Sequence, residues 1–509
     1  MKRILALLLA FLLLTGCTVG QQSYVPTGDG LTPDTPGNPG NSSGGEDTAK
    51  AFSLAYYEKE GLNPLTSIDY VNRTVASLLY QGLFSVDRNY KVEPVLCSSY
   101  TVSSNMKSYV FYLEEATFSD GSAVTAEDVV ASLKAAKSSD YYGGRFTHIK
   151  SISATSDGGV SIKLTKDCEN LPILLDIPIV PKNQVKEKFP MGSGPYAVVE
   201  TNSGRTLVLR SDWWCSAQLP ISAGTIPLSK RKDPVDIRDG FEFENVGLTC
   251  TDPGASSYAD YHCDCEQWEC ETGLFLFLGC SEESEVFSIQ EVRQALTYAI
   301  DREKIVQENY RGFARATTLP VSPASTWYDS ALANRYSYDP DRFAEVIKDN
   351  KLKGKTVVLL VNGGDSIRLQ ASRNIEKMLT AAGLVVDRQT LKGSAYTKAL
   401  KKGNYDLFLG QTKLSPNMDL SEFFYSKGAL CFGGMDDGAI YALCQAALEN
   451  SGNYYNLYQA VARDAMLTPI LFRTYAVYAA RGLVQGLQPA RDNVFYYSLG
   501  RSLEDAKKN

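Results

Sequence analysis

The chain reads as an α/β protein, and three observations carry that reading. Apolar residues recur at three-to-four spacing in some segments and alternate in others, so helices and strands interleave. One stretch spells out a βαβ unit. It has a strand at Thr356 to Val361, a helix from about Ser366 to Ala382 with Gly383 as C-cap, and a strand at Leu384 to Asp387. Hydrophobic content of 44% and charged content of 21% are those of an ordinary globular protein with room for substantial cores. Alternating elements of this kind form sheets covered by helices on both faces.

In chain order, the first feature is not part of that fold. Lys2 and Arg3 precede an apolar run from Ile4 to Leu14, too short for a permanent membrane span but suited to the core of an export signal. Leu14-Thr15-Gly16-Cys17 follows at once and resembles a bacterial lipobox. That resemblance implies cleavage before Cys17 and lipidation of its thiol, and two acyl chains suffice for stable anchoring. From Gln21 to about Lys50 the chain is dense in Gly, Pro, Ser and Thr with almost no aliphatic residues, the composition of a disordered tether. Its length points to a thick, Gram-positive-type envelope.

The first folded stretch, Ala51 to Tyr57, alternates as a strand and leads to Leu62-Asn63-Pro64. Val71, Val75, Leu78, Leu79 and Leu83 then mark a helix. Ser108 to Ala116 alternates as a strand and ends in the turn Phe118-Ser119-Asp120-Gly121. Thr125 opens a helix in a capping box with Asp128. The loop Pro190 to Tyr196 looks like a phosphate cradle, but it lacks the P-loop Lys and leads into a strand, Ala197 to Glu200, so it reads as a structural turn. Gly273 to Gly279 is a buried strand, and Ser288 with Glu291 caps a helix lined by Val292, Ala295, Leu296, Ala299 and Ile300. A short helix around Tyr396 to Lys401 leads to the strand Tyr405 to Leu409, and a final helix-strand section runs from Asp437 to Phe472.

Composition also narrows function. A net charge of −7 offers no basic patch for nucleic acid. Only His148 and His262 are present, neither in a nucleophile-elbow or HExxH setting, and no nucleophile-base pair appears, so no catalytic residues are assigned. The 30 Tyr suit wet ligand clefts as well as cores. Apart from Cys17 there are ten Cys: 97, 168, 215, 250, 263, 265, 270, 280, 431 and 444. Buried free thiols, disulfides, or a structural metal at the Cys263–Cys265–Cys270 cluster all remain open, although C-x-C-x4-C is not a zinc-ribbon spacing. No cofactor is expected.

Several segments together resemble the family 5 extracellular solute-binding proteins, the peptide- and nickel-binding class of ABC importers. They are Leu62-Asn63-Pro64, Tyr80 to Phe84, Phe118 to Gly121 with Thr125 to Val130, Gly192 to Tyr196, and Val292 to Arg302, in family order. The resemblance implies a two-lobe, periplasmic-binding-protein-like (type II) fold with a hinge and an additional inserted domain. One lobe is discontinuous, at 51–87, 181–270 and 481–509; the insert is 88–180 and the second lobe 271–480. It also implies a monomer that closes on a peptide or other small solute and delivers it to permease subunits with cytoplasmic ATPases. A surface sensor without transport and, remotely, a surface enzyme are the alternatives.

By position in the family, Ser67, Asp69 and Tyr70 should line the cleft from one lobe. The loop after Leu409, with Gln411, Lys413, Asn417 and Asp419, should face it from the other. Peptide-binding members carry an Asp in this loop for the peptide's ammonium. This chain has no acid from Gly410 to Met418 and offers Lys413 instead, while Asp419 matches the later, structural Asp. A cation suits an anionic group better. The expected ligand is therefore not a generic free-amino-terminus peptide, or its amine is held elsewhere, by Asp69.

Overall fold

The computed structural model describes residues 52–509 apart from 68, 222, 244, 255–260, 485 and 509; the export signal, Cys17 and the tether lie outside the described residues. Among the described residues no helix is long and apolar enough to cross a membrane.

Two half-sheets share one ribbon. In the first, Leu54–Tyr56 lies between Thr225–Lys230 and Leu248–Thr251, parallel to both, and the sheet extends antiparallel through Gly204–Leu209 to Tyr196–Thr201. In the second, the βαβ strands Thr356–Asn362 and Val385–Leu391 pair in parallel, and Thr356–Asn362 also pairs in parallel with Leu407–Lys413. The shared ribbon is an outbound strand, Cys265–Cys280, antiparallel to a return strand, Leu467–Ala480. Near the outer end, the return strand carries Leu248–Thr251; near the inner end, the outbound strand carries Leu407–Lys413. The seam falls where the register shifts between Glu271 and Leu274. Gly273 has φ +70° there, a conformation that side chains resist.

Between Tyr56 and Tyr196 the chain builds a separate four-stranded antiparallel sheet, ordered Cys97–Val102, Ser108–Leu113, Val160–Leu164 and Ile149–Ala154. The helix Ala126–Lys137 packs on it and opens with the expected Thr125–Asp128 capping box. In the second half, Phe275 stacks on Phe472 at 5.0 Å and Phe277 meets Phe423 edge-on at 5.2 Å, while the alternate residues Leu276 and Leu278 are buried as well, so both faces of that sheet are covered. The turn at Gly192 and Gly194 is structural as expected: both glycines lie against the backbone of Leu79, where a Cβ on Gly192 would stand 1.9 Å from the Leu79 carbonyl oxygen.

Some expectations change. Gly273 to Gly279 is only the inner half of a sixteen-residue strand. The strand placed at Tyr405 to Leu409 runs Leu407–Lys413, because its ladder with the outbound strand continues to the Leu274–Lys413 pair. Gln411 and Lys413 therefore stand on a strand and not on a loop. Ser288 does not cap the next helix, which runs Gln290–Ala299 with Ile289 at the cap position. Ser288 is held in a preceding turn by Ser284, and Arg293 reaches back to the carbonyls of Phe287 and Ser288. Cys97, Cys168, Cys215, Cys250, Cys265, Cys270, Cys280, Cys431 and Cys444 are free thiols. Among the described residues no three His, Cys, Asp or Glu side chains converge as a metal site.

Candidate functional site

The carboxyl ends of the parallel strands in the first half-sheet open into a groove of about 910 Å³. Tyr57, Lys230 to Asp233 and Asp252 leave those ends, Asp69 to Val71 enter from the helix Tyr70–Leu79, and Tyr475 closes one side from the return strand. Carboxyl ends of such strands favour ligands because the helices that follow direct their N-termini there. Asp69 and Asp233 already occupy two of those N-termini as caps, each accepting from two backbone N–H groups. Burial raises the Asp69 carboxyl above its ordinary range, and the bonds from Val71 and Asn72 offset only part of that.

Behind Tyr70 the groove meets a buried cluster assembled from four parts of the chain. Tyr70 and Arg73 come from one helix face, three residues apart. Tyr141, Tyr142 and Arg145 come from the inserted region, Lys413 from the second half-sheet, and Arg491 and Asp492 from the C-terminal tail. Asp492 is the junction. Its Oδ1 accepts from Lys413 Nζ at 2.8 Å and from the Tyr70 hydroxyl at 3.3 Å. Lys413 also donates to the Thr272 carbonyl and sits 4.5 Å from the centre of the Tyr141 ring. Arg73 stacks on the same ring at 3.6 Å and donates to the Tyr142 hydroxyl at 2.8 Å. Tyr70 packs on Tyr475 with ring centres 3.8 Å apart.

Electrostatics here are unbalanced. Among the described residues Arg73, Arg145, Lys413 and Arg491 face two carboxylates, Asp176 and Asp492, and Arg145 takes Asp176 as its partner. Burial would raise the Asp492 carboxyl, but Lys413, Arg491 and Arg73 outweigh it and hold the group well below the usual carboxylate range. Burial, reinforced by Arg491 and Arg73, pulls the Lys413 ammonium down to about 7 despite its bond to Asp492. Burial and Arg491 likewise bring Arg145 down to about 10.

A second junction spans the seam. Arg473 on the return strand donates to Asp252 Oδ2 at 2.6 Å and to Gln411 Oε1 at 3.1 Å, and lies 3.8 Å from Asp365. Asp252 belongs to the first half-sheet, whereas Gln411 and Asp365 belong to the second.

The residues expected in the cleft thus divide. Tyr70 and Lys413 are brought together, through Asp492. Ser67 is buried beside them, its carbonyl accepting from Arg73 at 3.3 Å. Asp69 caps a helix at the groove edge, and Gln411 serves the Arg473 junction. Asn417 is buried with its carbonyl on the Tyr454 hydroxyl. Asp419 accepts from His148 at 3.2 Å and from the Ser421 N–H, a structural bond to the inserted region. Lys413 does not wait unpaired for an anion: the carboxylate absent from its own loop arrives from the tail. Sequence reading missed Arg73, Arg145, Asp252, Arg473, Arg491 and Asp492. Arg473 left a signal, a charge inside the apolar strand run from Ile470 to Val477; the other five carry none in their local pattern.

Two half-sheets joined by a paired-strand seam, with a groove and a mixed-charge cluster at the join, define a two-lobe binding protein of type II periplasmic-binding-protein fold. The model of the bacterial extracellular solute-binding proteins, family 5 Middle, matches residues 91–238 and 255–429, and the chain belongs to that family, whose members bind solutes and are not enzymes. An oligopeptide-binding protein, AppA, of Bacillus subtilis is 24% identical over 469 residues, which cover 80% of this chain and 83% of that one. A glutathione-binding protein, GsiB, of Salmonella paratyphi A is 25% identical over 313 residues, 57% of this chain and 59% of that relative's length. Among solved structures, HbpA2 from Haemophilus parasuis shares the fold at a TM-score of 0.72 with 17% identity, covering 89% of this chain and 100% of that one.

Proposed function

We propose that this protein is the substrate-binding lipoprotein of an ABC importer. It captures a peptide or other small solute between its lobes and delivers it to permease subunits driven by cytoplasmic ATPases. Cys17 and the tether moor it to the extracytoplasmic face of the membrane, in an envelope of Gram-positive type, and it works as a monomer. The lobes correspond to 51–87 with 181–270 and 481–509, and to 271–480, with 88–180 as the insert.

The observation that carries this reading is the pair of junctions across the seam. Arg473 with Asp252, Gln411 and Asp365 ties the two half-sheets, Lys413–Asp492 ties the second half-sheet to the C-terminal tail, and among the described residues two strands connect the half-sheets covalently at the ribbon. A ligand touching both halves favours the closed arrangement by its differential affinity for that state. Asp492 is already neutralised by Lys413, so a peptide ammonium has no ready partner in the cluster. The likeness to an oligopeptide-binding protein supports peptide cargo, and the excess of cations supports cargo with acidic groups.

Native mass spectrometry of the purified protein, followed by calorimetry and small-angle scattering with the recovered solute or a mixed peptide pool, tests the binding part. A bound small molecule and a more compact scattering envelope are expected. A protein that binds no peptide or small solute and never changes its envelope contradicts it. Release of a Cys17→Ala variant from the membrane fraction checks the anchor, and retention of that variant in the membrane fraction contradicts it.

A further inference from the structure

We propose that the cavity behind Tyr70 holds an oxyanion, a carboxylate or a phosphate group, carried by the solute; this rests on the binding-protein reading above. The cavity, of about 90 Å³, is walled by the helix Tyr70–Leu79, the segment from Tyr80 to Val86, the inserted region and the C-terminal tail, and shares no lining residue with the groove. A single water needs roughly 10–15 Å³ of such space, so a small polar group and its hydration fit.

Three guanidiniums, Arg73, Arg145 and Arg491, line it against the carboxylates Asp176 and Asp492. Lys413, bonded to Asp492, adds a fourth cation at its edge. Arg491 is 3% exposed; its Nε faces Asp492 Oδ2 at 4.0 Å, beyond hydrogen-bond reach, and neither that Nε, one of its terminal nitrogens nor Arg73 Nε has a hydrogen-bond acceptor in the protein. Buried donors without partners are rare, and on a guanidinium they mark a missing acceptor of negative charge. Water can supply hydrogen bonds but does not offset the surplus positive charge. A planar fork accepts a carboxylate or phosphate edge through two parallel bonds, which an ammonium pocket does not offer. Asp492 Oδ2 and Asn493 Oδ1, also without protein donors, are acceptors for the ligand group's hydroxyl or its companion water.

Tyr70 stands between groove and cavity: it lines the groove with its ring, against Tyr475, and its hydroxyl donates to the cavity-lining Asp492.

Calorimetry on the full chain compares the tripeptide Ala-Glu-Ala with C-terminally amidated Ala-Gln-Ala, and thermal unfolding compares sodium phosphate, sodium acetate and sodium chloride at matched ionic strength. The acidic peptide is expected to bind roughly 10- to 100-fold more tightly, the scale of one charge-assisted pair. Arg145→Gln and Arg491→Lys should each narrow that ratio about tenfold. Stabilisation by acetate above chloride assigns the group to a carboxylate, and by phosphate alone to a phosphate ester. Equal binding of the two peptides with no anion effect in the wild type overturns the proposal even if neither variant folds, yet leaves the solute-receptor reading intact. Anion stabilisation in a protein whose envelope never closes on any solute does the reverse.

Discussion

Asp492→Asn removes the one carboxylate shared by Lys413, Tyr70 and the flanking arginines, without changing side-chain size. Lys413 and Asp492 are 2.8 Å apart, with side chains 19% and 6% exposed. At an effective dielectric of about 20, such a pair is worth about 6 kcal/mol of gross Coulomb attraction. Desolvation of both groups consumes part of that, and deleting one partner of a buried pair costs about 3–5 kcal/mol because the survivor is left uncompensated. Here the survivors are Lys413, Arg73 and Arg491, with Arg145 beside them, against Asp176 alone, so the upper part of that range is expected. Equilibrium urea unfolding, followed by tryptophan fluorescence at neutral pH, measures it. In a Lys413→Met background one cation is already gone, and the cost of Asp492→Asn should fall by roughly 1–3 kcal/mol. A cost below about 1 kcal/mol for Asp492→Asn alone refutes the reasoning. So does a cost that agrees in the two backgrounds to within about 0.5 kcal/mol.

Lys413 titrates at about 7 in the fold and near the ordinary lysine value when unfolded, so between those limits the unfolded chain binds the extra proton and stability rises with pH. Lys413→Met should flatten that slope when unfolding is followed from about pH 6 to pH 10. Asp492, whose carboxyl is depressed, contributes stability above its unfolded range and loses it only at strongly acid pH. Asp69→Ala should cost about 1 kcal/mol in urea unfolding through loss of the helix cap, and Asp69→Asn much less. Gly192→Ala should cost about 1–3 kcal/mol because its Cβ meets backbone and not a movable side chain, whereas Gly144→Ala, facing open space, should be near neutral in the same assay.

The features legible before folding were those whose cause lies within a few residues. The Thr125–Asp128 box, the βαβ unit and the helix after Asp69 follow from cap chemistry and apolar spacing, which neighbouring side chains settle among themselves. The two-lobe class was legible through short motifs in order, because those motifs are scaffold turns such as Gly192 to Tyr196 with strict local geometry. Strand ends were less so: Leu407–Lys413 is as long as its ladder partner allows, and that partner lies more than a hundred residues away. The cluster was least legible of all. Lys413 carried a charge the sequence displays, but its meaning depends on Asp492, 79 residues on, and on Tyr70, 422 residues before Asp492. Sequence alone determined most of the elements and the presence of a cation at Lys413. Only the tertiary structure decided that the cation is neutralised and that three arginines share its surroundings, because charges in a buried site take their values from neighbours in space rather than neighbours along the chain.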